Sequence, residues 1–111
     1  MPRYFKAPTG TVDVLPEDQR YMTFIKKVIR HRFRQAGFTR ISPPIFEETA
    51  VFSRALGNDS EIVKRELYSF SDRTGRNFSL RPEVTASIVR AFIQREMADG
   101  ALPVELYYIE P

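Results

Sequence analysis

Residues 67–93 read LYSFSDRTGRNFSLRPEVTASIVRAFI, and the apolar period changes within them from two to that of a helix. Tyr68 and Phe70 alternate with serines, DRTG interrupts, and Phe78 and Leu80 resume the alternation. This is the pattern of a β-hairpin, with Gly75 suited to the left-handed position of its turn. Pro82 is then expected to open a helix in which Thr85, Ile88, Val89, Phe92, Ile93 and Met97 trace one face, ended by Asp99 and Gly100. A hairpin running straight into an amphipathic helix predicts an α+β fold with an antiparallel sheet flanked by helices.

The segments around this one agree. Residues 1–15 contain Pro2, Pro8 and Gly10 without sustained periodicity and read as an extended arm whose TGTVDVLP portion turns into the first helix. Pro16 suits a first helical position, with Glu17 and Asp18 next to it in the first turn. Met22, Ile25, Ile29, Phe33 and Ala36 then form a stripe widened by Tyr21, Phe24 and Val28, and Gly37 supplies a stop. That stripe is expected to be core or subunit interface. FTRISPPIFEE makes a short apolar strand whose Pro43 and Pro44 belong at an edge, a bend or a subunit boundary, because neither donates to a ladder. Thr49 to Leu56 has helical spacing closed by Gly57, and NDSEIVKREL reads as a short helix or a loop. The final PVELYYIEP is β-rich on both faces. A strand of that kind at the last residues reads as a chain that continues, since domain ends are usually polar and frayed.

Composition fits one folded unit. The chain has 111 residues, 42% apolar and 28% charged, with a formal charge of +3 and no cysteine. Disulfides, thiolate catalysis and cysteine-based zinc sites are thereby excluded. No apolar run is long enough to span a bilayer, and MPRYFKAPTG lacks the h-region of a secretory signal, so a cytoplasmic setting is expected. Arg20, Lys26, Lys27, Arg30, Arg32 and Arg34 cluster on one helix. A solvated helix face explains them better than a nucleic-acid patch, which usually carries a larger basic excess.

Little in the chain suggests catalysis. His31 has no second histidine or cysteine near it and is expected to face solvent, so no metal site is expected. GxxxxGK[ST], GxGxxG and GxSxG are absent. Glu47 and Glu48 are adjacent and diverge on either a strand or a helix; they read as a helix N-terminal cluster. RPEVT is more informative. A carboxylate and a hydroxyl, here Glu83 and Thr85, suit a ligand's ammonium group, provided Glu83 belongs to the loop before the helix. On residue types alone, the simpler use of Glu83 as a helix-start carboxylate is favoured.

Four separated blocks, GTVDVLPEDQR, GFTRISPPIFEETAVFSRALG, EIVKRELYSFSDRTGRNFSLRPEVTASIVRA and LYYIEP, resemble in order and spacing the N-terminal part of histidyl-tRNA synthetases. The resemblance covers nearly the whole chain. It implies a partial class II aminoacyl-tRNA synthetase catalytic core occupying residues 1–111, with the first class-defining motif at about 16–48 and Pro44 as that motif's proline at a dimer interface. It also implies that Glu83, Val84 and Thr85 form the stretch that holds the α-amino group of histidine. Val84 stands where the family has glycine, a change that bears on how closely a ligand can approach the backbone.

The same resemblance places the second motif, with its ATP-binding arginine, beyond Pro111. ATP and Mg would serve the full-length enzyme, with histidine and tRNA as its other partners; the segment alone is expected to bind no cofactor and to be inactive, with no catalytic residue of its own. Two alternatives stand beside the ligase: the non-catalytic, synthetase-like regulatory subunit of ATP phosphoribosyltransferase in histidine biosynthesis, and a dimerising interaction module.

Overall fold

The computed structural model describes residues 4–111, so Pro2 of the expected arm lies outside the described residues. The chain divides into two units, the first ending at Gly37 and the second spanning Phe38–Pro111.

The first unit is dominated by helix α1, Pro16–Gln35. Pro16 occupies the first turn with Glu17 and Asp18, and Arg32 and Arg34 lie in the last turn. Both charge placements complement the helix dipole. Gly37, at φ 89°, takes the left-handed conformation that stops it. No residue of α1 is fully buried; Tyr21, Phe24, Ile25 and Val28 are exposed. Within the first unit the stripe is therefore not core. His31 is exposed, as its isolation suggested.

The second unit holds two small sheets. The apolar run after Gly37 is not one strand but two. β1, Thr39–Arg40, pairs in parallel with β5, Leu106–Tyr107, and β2, Phe46–Glu48, belongs to a different sheet. Pro43 and Pro44 form the bend between them, where their missing N–H groups interrupt no ladder. The parallel β1/β5 pair departs from a purely antiparallel expectation. Of the C-terminal run only those two residues form a strand: Tyr107 is buried and Tyr108 is exposed.

In the antiparallel sheet the order is β2, β4 (Asn77–Leu80), β3 (Ser69–Ser71), with Glu47 opposite Ser79 and Phe70 opposite Phe78. The pleat puts aromatic residues on one face and polar residues on the other. On the first face the rings of Phe46, Phe70 and Phe78 lie 5.6, 5.7 and 6.0 Å apart pairwise. On the other, the Ser79 hydroxyl, fully buried, bonds to Ser69 Oγ at 2.7 Å and Thr49 Oγ1 at 2.8 Å. These bonds tie β3, β4 and the start of helix α2, Thr49–Leu56, together. Phe52 of α2 is the fully buried apolar anchor of this unit.

The hairpin turn is built on Asp72. Its Oδ1 accepts from Thr74 N, Thr74 Oγ1 and Arg76 N at 2.9, 2.7 and 2.9 Å, and its Oδ2 from Arg76 Nε at 3.1 Å. Gly75 follows at φ 86°. The Thr74 hydroxyl above all, with the Arg76 and Thr74 amides and the Arg76 side chain, pulls the Asp72 carboxyl down from 3.8 to about 2, against a smaller upward effect of desolvation. The NDSEIVKREL segment forms a π-helical turn, Ile62–Glu66, begun by Ser60, whose hydroxyl accepts the Val63 N–H at 3.2 Å.

Helix α3 runs Thr85–Gln94. It begins three residues after Pro82 and ends well before Asp99, because Glu96 adopts a left-handed conformation and Met97–Asp99 tighten into a 3₁₀ turn. Its buried face consists of the small residues Ala86, Ser87 and Ala91, whereas Val89 and Ile93 of the expected apolar stripe are exposed. Small side chains let α3 pack closely against α2.

Candidate functional site

The RPEVT stretch sits where β4 gives way to α3. Glu83 lies in the loop, and its carboxylate turns back onto the helix: Oε2 accepts the Thr85 N–H at 2.7 Å and Oε1 accepts the Ala86 N–H at 3.0 Å. Those are the second and third amides after Glu83, the pair an N-cap side chain serves. The charge also lies at the positive end of the helix dipole. This cap explains why the helix starts later than Pro82 suggests: the side chain, not the proline ring, ends the loop.

Capping leaves chemistry to spare. An ionised carboxylate offers about four acceptor positions, and the two amides use one on each oxygen. Glu83 is thus locked in place with free lone pairs. Thr85, two residues on, is exposed. Both line an open cleft of about 1140 Å³ between α2 and α3, with Val51, Leu56, Val89 and Ile93 on its apolar walls. A fixed carboxylate at the rim of an apolar cleft is suited to an ammonium group whose attached side chain is less polar.

Val84 does not obstruct this arrangement. Its backbone, at φ −98° and ψ −24°, is ordinary right-handed geometry that needs no glycine, and its carbonyl accepts the Ile88 N–H at 3.1 Å. Val84 is 7% exposed and is not among the cleft's lining residues. Valine therefore fills the core beneath the loop, and of the three residues in the expected amine-holding stretch only Glu83 and Thr85 face the cleft.

Two further groups support the site. Glu47 is not part of a helix N-terminal cluster with Glu48. It lies in β2 with its side chain 8% exposed, and Arg90 Nε of α3 donates to its Oε2 at 2.8 Å. Arg90 Nη1 also donates to Gln94 Oε1 at 2.7 Å. The ion pair pins α3 to the sheet, and Arg90 lines the same cleft as Glu83. Arg81 lies before the loop, where Nη1 donates to the carbonyls of Pro43 at 3.1 Å and Pro44 at 3.2 Å. Among the described residues no three His, Cys, Asp or Glu side chains gather as a metal site requires.

Comparison with known proteins identifies the family. A family model described as histidyl-tRNA synthetase matches residues 10–111. The chain belongs to the histidyl-tRNA synthetase family. It is similar to the histidine–tRNA ligase of Syntrophomonas wolfei, with 43% identity over 106 residues, covering 96% of this chain and 25% of that protein. Among solved structures it is similar to the apo histidyl-tRNA synthetase of S. aureus, with TM-score 0.81 and 35% identity over 95% of this chain and 28% of the other. A Bacillus halodurans protein described as an ATP phosphoribosyltransferase regulatory subunit/histidyl-tRNA synthetase matches with TM-score 0.76 and 29% identity, covering 97% and 27%. The chain thus spans about a quarter of the length of the curated relatives it matches. The α+β architecture is that of these synthetases.

The sequence pointed to Glu83 and Thr85 but not to Glu47, Arg90 or Arg81. The first two are 43 residues apart, and only a three-dimensional pairing unites them. One signal was present. In IFEE the strand alternation puts Glu47 on the face opposite Phe46, and a carboxylate on a covered face requires a cation.

Proposed function

We propose that this chain is the part of a histidine–tRNA ligase that holds the α-amino group of histidine, with Glu83 and Thr85 as acceptors. The observation that carries the proposal is the Glu83 carboxylate, immobilised by two helix amides at the edge of a cleft. Its orientation is set before a ligand arrives, so little ordering entropy opposes binding. A charge-assisted bond to the ammonium contributes about 1.5–3 kcal/mol. In the complete enzyme, histidine would react with ATP, assisted by Mg, to give the adenylate, and the histidyl group would then pass to tRNA. The residues of this segment are proposed to bind and orient, and no step of the reaction is assigned to them. The segment alone is proposed to be inactive, and the setting to be cytoplasmic.

The same reading includes a homodimer in which α1 and the bend at Pro44 meet a second subunit. Support comes from the uncovered apolar side chains of α1 and the exposed rings of Phe46 and Phe70. Sedimentation velocity should show a dimer of the chain; a monomer at high concentration would refute this part.

The test of function is a chimera in which residues 10–111 replace the matching quarter of the Syntrophomonas wolfei ligase. It should catalyse histidine-dependent ATP–pyrophosphate exchange and lose most of that activity on Glu83→Asn. The likeness to the Bacillus halodurans protein favours a second reading as a regulatory subunit. A folded chimera that binds histidine but supports no exchange would favour that reading.

A further inference from the structure

Arg81 stands at the end of β4, two residues before Glu83, and its side chain is only 5% exposed. A buried guanidinium carries five donors and cannot discharge itself, so each donor needs a partner. Here the partners come from two other segments. Nε donates to the main-chain oxygen of Pro111 at 3.0 Å, and Nη1 to the Pro43 and Pro44 carbonyls at 3.1 and 3.2 Å. Nη2 lies 3.7 Å from Glu110 Oε2, while Glu110 Oε1 accepts the Ser42 hydroxyl at 2.6 Å and lies 3.7 Å from Arg40 Nη2. The Arg81 main-chain N–H donates to the Ile45 carbonyl at 3.0 Å.

One planar group therefore closes three chain segments on each other: the proline bend, the residues that follow β5, and the loop that carries Glu83. Glu83 is tied to the helix by its own cap, but that cap does not locate the helix start against the rest of the unit. Arg81 does. The bend carbonyls also depend on it, since consecutive prolines offer no N–H through which a strand could hold them.

We propose that Arg81 is a positioning residue, which sets the Glu83 carboxylate in register with the Pro43–Pro44 bend and the C-terminal segment. This rests on the reading of Glu83 as the amine-holding group. Its chemistry demands the guanidinium fork: a lysine ammonium keeps the charge but is a point donor that cannot reach all three carbonyls in their separate directions.

Two measurements test it. The first needs no ligand: amide hydrogen exchange on the 111-residue chain and its Arg81→Lys variant. The Thr85 and Ala86 amides at Glu83 and the Ile41 amide, bonded to the Tyr107 carbonyl at 3.0 Å, should lose protection together in the variant. The Asp72 amide of the hairpin turn should keep its protection. Unchanged Thr85 and Ala86 protection would overturn the proposal. The second uses the chimera. Arg81→Lys should raise KM for histidine roughly tenfold, about the loss of one charge-assisted bond, with KM for ATP unchanged. A fall in kcat with histidine KM unaltered would show a merely structural residue and overturn the proposal. Glu83→Asn, run in parallel, separates the two ideas. If it leaves histidine KM unchanged, the reading of Glu83 is wrong, while the exchange result still decides whether Arg81 positions the loop.

Discussion

Replacing Arg90 with methionine should destabilise the chain by stranding the buried Glu47 carboxylate. The guanidinium meets a Glu47 carboxylate whose side chain is 8% exposed, whereas its own is 26% exposed. Removing one partner of a buried pair typically costs about 3–5 kcal/mol, because the remaining charge is stranded. Partial exposure of Arg90 means that the pair is not fully desolvated, which puts the expected loss near the lower end, about 3 kcal/mol. The two partners should differ. Glu47→Met leaves an arginine that can turn towards solvent and should cost less, about 1–2 kcal/mol, while Arg90→Met leaves a carboxylate that cannot. The double variant should recover to within about 1 kcal/mol of the parent, since apolar replacements of both partners are often close to neutral. Urea unfolding of the parent, both singles and the double variant completes the cycle. An Arg90→Met loss under about 1 kcal/mol, or single costs that simply add, would refute the pair as the clamp between α3 and the sheet.

Val84→Gly should cost about 3 kcal/mol, combining lost burial of the isopropyl group with the backbone freedom of glycine in a helix start, and urea unfolding measures it. It should not tighten histidine binding in the chimera; a gain in affinity would show that the valine had been obstructing the ligand. The Asp72 carboxyl should titrate near pH 2 by carbon NMR, since its folded pKa is lowered to about 2. Its contribution to the hairpin is then fully present above the ordinary value of 3.8 and is lost as pH falls towards 2; a midpoint near 3.8 would contradict the turn geometry.

Much of the fold was legible because its longer elements carry strong local signals. The stripe and end residues of α1, the Thr49–Leu56 helix and the Asp72–Gly75 turn all follow from periodicity and turn chemistry. What escaped was set by distant partners. Two-residue strands such as β1 and β5 are too short to show a period, and their parallel pairing joins residues far apart in sequence. The start of α3 lies later than Pro82 suggests because the Glu83 side chain caps the helix, and sequence does not show which amides a carboxylate will reach. Its core face is Ala86, Ser87 and Ala91, small residues that allow close approach but carry little of the apolar periodicity by which a helix face is visible in sequence. At the site, Glu83 was visible in two roles, and the structure makes them compatible: a cap that also aims a carboxylate.

The most direct test of that dual role is a cycle between Glu83 and the ligand's own amine. Histidine and 3-(imidazol-4-yl)propionate, which lacks the α-amino group, would be titrated calorimetrically into the chimera and its Glu83→Asn variant, asparagine being a residue that still caps a helix. If Glu83 holds the ammonium, deleting the amine should weaken binding roughly 10- to 150-fold in the parent, equivalent to about 1.5–3 kcal/mol, and scarcely at all in the variant. An equal loss in both proteins would contradict it and leave Glu83 as a helix cap alone.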